Sequence, residues 1–341
     1  MFKQILTTLV ISAGTLAAVS PAFAEYPERN IQGVIQWGAG GATDNVSRSL
    51  TPHVEEALDA TIILSNRPGA TGLIGMNAVL NSPADGYTVL YGAENPQLYP
   101  VLGMADFDYS AMTPINVIGQ GLVVIAAPTN KDWEDMGDLL EAAHANPGVL
   151  RMGGTGAGGL PSTILAMINS VNELDIRNVT FGGDGPGITA LLGNHIDFMP
   201  LSLAAAQPHI EAGRLTGLAV VTKESIEELP GVPPITEALP KMASYLPWGP
   251  FWAVAVHKDT PEDIVATLSE AYQKGVANEQ FQEFLAQNGA KSLNLQGEEA
   301  KQYLGRWQSI TAWALEDAGT AKVSPKELGI PKPAELDTAK Q

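Results

Sequence analysis

Ile31-Gln32-Gly33-Val34-Ile35, followed shortly by Gly38-Ala39-Gly40-Gly41-Ala42-Thr43-Asp44, is the passage on which the fold reading turns. An apolar run of strand length ends in a glycine-rich loop, and the periodic pattern of Asp44-Leu58 predicts a helix behind it. Glycine permits positive φ and close backbone approach. The first turn of the helix leaves its amide N–H groups free, with the positive end of the dipole toward the loop. Such a loop is a candidate anion cradle that needs no basic side chain.

Working outward, the same arrangement recurs at Asn66-Arg67-Pro68-Gly69-Ala70-Thr71-Gly72, at Gly153-Gly154-Thr155-Gly156-Ala157-Gly158-Gly159 and at Gly182-Gly183-Asp184-Gly185-Pro186-Gly187. One glycine loop carries little, because glycine serves turns everywhere. Four at equivalent strand ends point to a ligand site, since open α/β sheets bind ligands there. The apolar runs Thr61-Ser65, Tyr87-Tyr91, Leu122-Ala126, Leu150-Met152, Val179-Phe181, Ile196-Leu201 and Leu215-Val221 read as strands. Asp135-Ala145, Ser162-Asn169, Ile188-Leu192 and Ala204-Glu211 read as helices between them. This alternation predicts an α/β chain with parallel sheets and helices on both faces. From Pro261 the pattern turns helical: Glu262-Val276, Glu279-Gln287 and Glu298-Leu315, with one short strand at Lys291-Leu295. The segment after Gly319, rich in Pro and Lys, is expected to wrap the surface as an extended arm.

Bulk properties narrow the function. Met1-Lys3, the apolar run Ile5-Val19 and Ala22-Phe23-Ala24 read as a signal peptide (residues 1–24) cleaved after Ala24, the run being too short and alanine-rich for a comfortable membrane span. With no cysteine anywhere, a lipoprotein, disulfides, thiolate metal sites and cysteine nucleophiles are all excluded. Export without cysteine suits a bacterial periplasm. The net charge of −18 argues against nucleic acid as a partner. An anionic ligand would therefore need a locally built site.

Across the mature sequence the chain resembles the periplasmic receptors of tripartite tricarboxylate transporters, the TctC or Bug family. The resemblance rests on Tyr26-Pro27-Glu28-Arg29-Asn30-Ile31, the first glycine loop with Arg48, and the second loop followed by Ile74-Gly75. It continues through Asp85-Gly86-Tyr87-Thr88, Gly182 to Pro186, Leu191-Leu192-Gly193 with Ile196-Asp197, Gly213-Arg214-Leu215 with Leu218-Ala219-Val220, and Leu229 to Pro233 with Glu237. It implies a two-lobed periplasmic-binding-protein-like fold of type II that closes by a hinge. Lobe 1 would be 25–123 plus 253–341, and lobe 2 would be 124–252. It further implies a monomeric, non-enzymatic receptor without a cofactor. Its ligand would be a small carboxylate, di- or tricarboxylate or aromatic acid, delivered to membrane permease subunits. A receptor presenting its ligand to a periplasmic sensor domain would use the same pocket. In the third loop the family pattern commonly has two serines and then a histidine; here Gly154, Gly159 and Ser162 stand in those places. That departure makes a ligand with an apolar or aromatic far end more plausible than a citrate-like one.

The candidate ligand-binding residues are Gly40, Gly41, Thr43 and Asp44 in the first loop and Gly69, Ala70 and Gly72 in the second. The second lobe adds Thr155, Gly156, Gly158, Ser162, Gly183, Asp184 and Ser202. A buried carboxylate must recover the donors it loses with water, and charge-assisted hydrogen bonds return about 1.5–3 kcal/mol each. Thr43 reads equally as a donor or as a helix cap, and Ser202 as a cleft residue or the cap of the helix from Ala204. Asp44 suits bracing of the first loop better than contact with an anion. Arg67, beside a proline, reads as a loop brace or as a carboxylate fork. Trp248, Phe251 and Trp252 cluster where the lobes are expected to cross, as packing or as a pocket wall. An enzyme is the rival class. Gly154-x-Gly156-x-x-Gly159 with Asp175 formally matches a dinucleotide fingerprint, but there is no Gly-x-Ser-x-Gly elbow, and the five histidines are isolated without metal-ligand spacing.

Overall fold

The computed structural model describes residues 26–338; the expected signal segment, 1–24, lies outside them. Among the described residues the strands are β1 (Ile31–Ile35), β2 (Ile62–Asn66), β3 (Thr88–Ala93), β4 (Met112–Gln120), β5 (Val123–Pro128), β6 (Arg151–Gly154), β7 (Arg177–Thr180), β8 (Met199–Ser202), β9 (Leu215–Val220), β10 (Phe251–His257) and β11 (Lys291–Leu295). The helices are α1 (Ala42–Leu58), α2 (Leu73–Leu80), α3 (Met136–Ala145), α4 (Leu160–Asn169), α5 (Asp184–Leu192), α6 (Leu203–Glu211), α7 (Ile235–Ala238), α8 (Glu262–Ala277), α9 (Glu279–Gln287), α10 (Gly297–Asp317) and α11 (Pro333–Thr338).

One lobe is built on a six-stranded sheet of order β11-β4-β10-β3-β1-β2. Only its β2-β1-β3 part is parallel, as the alternating pattern predicts. β10 runs antiparallel to both β3 and β4, and β11 antiparallel to β4. The other lobe joins β8-β5-β9, all antiparallel pairs, to the parallel pair β6-β7 through a bridge between Met152 and Phe198. The chain leaves the first sheet at Gln120 and enters the second at Val123, and it returns along β10 from Phe251. These crossings explain the antiparallel strands: β4 carries the chain out toward the second lobe, and β10 brings it back beside β4 in the opposite sense.

Two strands escape a reading by periodicity. Residues Phe251–Val256 of β10 are all buried in the middle of the sheet, so the strand has no polar face and no alternation to detect. β4 contains Pro114, which argues against a central strand. Its pairing with β11 covers only Val117 to Gln120, so Pro114 stands where one side of β4 is an edge. Helix α2, apolar almost throughout, likewise lacks a helical period.

Helix α1 turns Val46, Leu50 and Val54 into one buried cluster with Leu268, Ala271 and Tyr272 of α8. The spacing i, i+4, i+8 places the three on a single face. The contact is close because Gly275 carries no side chain: a Cβ there would lie 2.7 Å from Cγ2 of Val54. The tail crosses the first lobe as an arm, pinned where Lys322 and Val323 donate to the carbonyl of Val101. It ends in α11, a short helix within the segment expected to be extended.

Candidate functional site

Each of the four glycine loops leaves a strand end and enters a helical segment, and the structure sets them in two facing pairs across the cleft. The first loop meets the fourth, where the Gly38 N–H donates to the Gly182 carbonyl at 3.0 Å. The second meets the third, where the Thr71 hydroxyl donates to the Thr155 carbonyl at 3.3 Å. A third clasp, from Asn95 Nδ2 to the Gly158 carbonyl at 2.9 Å, closes the same side. Among backbone contacts between the facing loops the tightest is at Gly185, where a Cβ would stand 2.4 Å from the carbonyl oxygen of Ala39 in the opposite lobe. At Gly41, by contrast, φ is −86° and a Cβ would make only ordinary contacts at 3.5 Å. Glycine is thus demanded by lobe closure at Gly185 more than by the backbone of Gly41.

Between the loops lies a small cleft. The first lobe contributes Trp37, Gly41, Ala42, Thr43, Ala93 and Glu94 to its walls. The second contributes Thr155, Leu160, Gly183, Asp184 and Ser202, with Pro250 and Trp252 from the returning crossing. The free volume of this cleft is about 30 Å³, enough for one or two water molecules. Anything larger enters only when the lobes part.

Six of the sequence candidates line this cleft: Gly41, Thr43, Thr155, Gly183, Asp184 and Ser202. Gly41 takes the N-cap position of α1 without a side-chain bond, which puts Thr43 inside the first turn and removes its reading as a cap. Thr43 and Thr155 are each only 6 % exposed. Neither hydroxyl has a protein partner among the described residues. Ser202 holds the N-cap position of α6 but makes no capping bond; its hydroxyl faces Asp184 instead.

The other candidates stand behind the wall. Asp44 accepts from the Gly40 amide at 3.0 Å, from Arg48 Nε at 2.9 Å and from Asn66 Nδ2 at 2.9 Å. Its carboxylate is engaged in holding the first loop, the bracing role that an acid at a helix start suits. Gly40 takes part in that brace through its amide. Gly69, Ala70 and Gly72 shape the second loop, which places Thr71 against Thr155 rather than facing the cleft. Gly156 and Gly158 lie on the third loop at the clasps, and the Ser162 hydroxyl donates back to the Gly156 carbonyl at 2.9 Å. Arg67 is exposed and off the wall. Of the aromatic cluster, Trp252 lines the cleft. Trp248 bonds to Thr311 and Phe251 packs on Trp307, both in the core.

Sequence reasoning passed over Glu94, Trp37, Ala93 and Leu160. Glu94 is 4 % exposed and sits at the end of β3, a strand end without a glycine loop to draw attention to it. Burial pushes its carboxyl up to about 7, with the nearby Asp184 adding to the rise and Asn95 opposing it. Burial also raises Asp184, to about 6, against hydrogen bonds from Ser202 and from the Ala42 amide. The amide at the head of α1, expected to cradle a ligand anion, therefore already faces a carboxylate of the opposite lobe. No Lys, Arg or His is among the lining residues.

The dinucleotide reading fails on geometry. Asp175 precedes β7 and its backbone carbonyl accepts from the Gly148 amide, ahead of β6. These parallel strands begin there, at the end opposite the glycine loop, where a ribose could not be reached. Among the described residues there is also no cluster of His, Asp or Glu arranged to hold a metal ion, and no helix is long and apolar enough to cross a membrane.

Comparison with known proteins agrees with this architecture. The family model "Tripartite tricarboxylate transporter family receptor" matches residues 46–310. A UPF0065 protein of Bordetella pertussis is 26% identical, covering 86% of this chain and 91% of its own. The solved periplasmic binding protein BugD superposes with a TM-score of 0.81 at 25% identity, covering 87% of this chain and 99% of that one. MatC of Rhodopseudomonas palustris, solved with bound malate, gives a TM-score of 0.75 at 23% identity, over 84% of this chain and 100% of its own. With loops, lobes and sequence in accord, the chain belongs to the tripartite tricarboxylate transporter receptor family and has the two-lobed fold of a periplasmic binding protein.

Proposed function

We propose that the protein is a periplasmic receptor that captures a small organic carboxylate between its lobes and delivers it to tripartite-type membrane permease subunits. Residues 1–24 would direct export and be removed. The closing units would be the two lobes near the boundaries 123/124 and 252/253, and the receptor would act as a monomer. The observation that carries this reading is the pair of facing loop contacts, Gly38 to Gly182 and Thr71 to Thr155, over a cleft too small to fill from solvent without opening. Such a geometry traps a solute by hinge closure and exposes no reactive pair. The related fold of MatC holds malate, a small carboxylate, which supports the ligand class.

Inside the cleft, Thr43 and Thr155 offer hydroxyl donors from opposite lobes, and the first turn of α1 offers amide N–H groups. A ligand held by both lobes stabilises the closed form by its differential affinity for that form. A thermal-shift panel tests the reading: carboxylates against sugars, simple amines and NAD, on protein unfolded and refolded to strip any carried ligand. A ligand at 100 times its dissociation constant adds about 2.7 kcal/mol. A shift confined to carboxylate-bearing compounds is expected. Stabilisation by sugars or NAD alone refutes the proposal.

A further inference from the structure

The walls of the cleft carry a charge pattern that a simple dicarboxylate does not match. Glu94 reaches it from the first lobe and Asp184 from the second, and no basic side chain lines it. Two carboxyl groups facing a ligand carboxylate at close range repel it in a medium of low dielectric. The same walls include the indoles of Trp37 and Trp252, 8 % and 2 % exposed. Aromatic faces beside carboxylates form a favourable surround for a cationic nitrogen. Thr43 and Thr155, in the walls of opposite lobes, add hydroxyls to the same lining.

We propose that Glu94 and Asp184, with the indoles of Trp37 and Trp252, form a subsite for a cationic nitrogen, so that the receptor takes a carboxylate that also bears an ammonium group. This rests on the carboxylate reading above and narrows it to small zwitterions. Glu94 already accepts from Asn95 and the Phe251 amide, and Asp184 from Ser202 and the Ala42 amide; the ammonium adds the countercharge that these neutral donors and amides do not carry, and it draws the lobes together because one acid comes from each. The carboxylate end falls to the threonine hydroxyls and to first-turn amides of α1. A plain dicarboxylate such as malate is disfavoured once the two acids are ionised.

Protonation supports the assignment from a second direction. Burial holds Glu94 near 7 and Asp184 near 6, so both lose their protons between pH 5 and 8. Binding of an ammonium ligand should therefore strengthen over that range, whereas a carboxylate without an amine would bind better as the pH falls.

The test is isothermal titration of refolded protein with pairs that differ by the amine alone: butyrate and 4-aminobutyrate, propionate and β-alanine, each with its trimethylammonium analogue, plus butylamine and choline. The amine-bearing acid should bind at least tenfold more tightly than its partner. In Glu94→Gln and Asp184→Asn that advantage should collapse, with unchanged circular dichroism. Equal or tighter binding of the acids without amines overturns the inference and leaves the proposed function standing. Equal binding of butylamine and 4-aminobutyrate supports the cation subsite and overturns the carboxylate reading. Silence from all compounds overturns both. Because the matched pairs are read on the unaltered protein, the outcome does not depend on a variant folding.

Discussion

Replacing Glu94 by Gln should stabilise the ligand-free protein in a pH-dependent way. Glu94 is 4 % exposed, and burial lifts its carboxyl from the ordinary 4.5 to about 7. Between those values the folded chain holds a proton that the unfolded chain has released, so stability falls as pH rises. A shift of this size is worth about 3 kcal/mol once both states are ionised, of which about 2.5 kcal/mol develops between pH 5 and 8. Glutamine keeps a similar shape and cannot ionise. The variant should therefore match the parent near pH 4.5 and exceed it by most of that amount at pH 8. Removing the charge also relieves Asp184, which faces it across the cleft. Urea unfolding at several pH values reads the difference directly, because the surface exposed, and so the slope, is nearly unchanged. A gap between parent and variant that stays constant from pH 5 to 8 would refute the reasoning, since it would mean that Glu94 stays ionised or stays neutral throughout.

Gly185→Ala should fold but fail to close, because its Cβ would meet the Ala39 carbonyl of the other lobe at 2.4 Å; small-angle scattering with and without ligand checks this, and normal compaction would count against it. Gly41→Ala should keep ligand affinity within a fewfold, whereas Gly41→Val, whose branched carbons reach toward Asp184, should lose it in a folded protein; equal affinities in titration would remove the first loop from the site. Asp197 is braced by Arg151 and Lys131, which outweigh its burial and hold its carboxyl near 2. Its contribution is present above the ordinary pKa of 3.8 and is lost as pH falls toward 2, so Asp197→Asn should cost about 2 kcal/mol at pH 7, less whatever solvent screens from the half-exposed Arg151. A gap that does not narrow in acid would speak against it.

The sequence carried the α/β class, the places of the four glycine loops and the limits of most helices, because these depend on local chemistry. Glycine at strand ends, apolar runs and 3.6-residue periods express themselves within a few residues. Asp44 could also be read as a brace rather than a ligand contact, since an acid at a helix start favours its own loop. What only the tertiary structure decided depends on separations of tens to hundreds of residues. The facing of the first loop with the fourth, and of the second with the third, is set by two crossings of the chain between sheets. β10 gave no alternation because both its faces are buried, and the proline of β4 is tolerated because only part of that strand is covered on its far side. Glu94 illustrates the same boundary: in sequence it is an ordinary acid before Asn95-Pro96. Its burial and its place opposite Asp184 arise only when the second lobe folds over it, and those two facts give the cleft its charge.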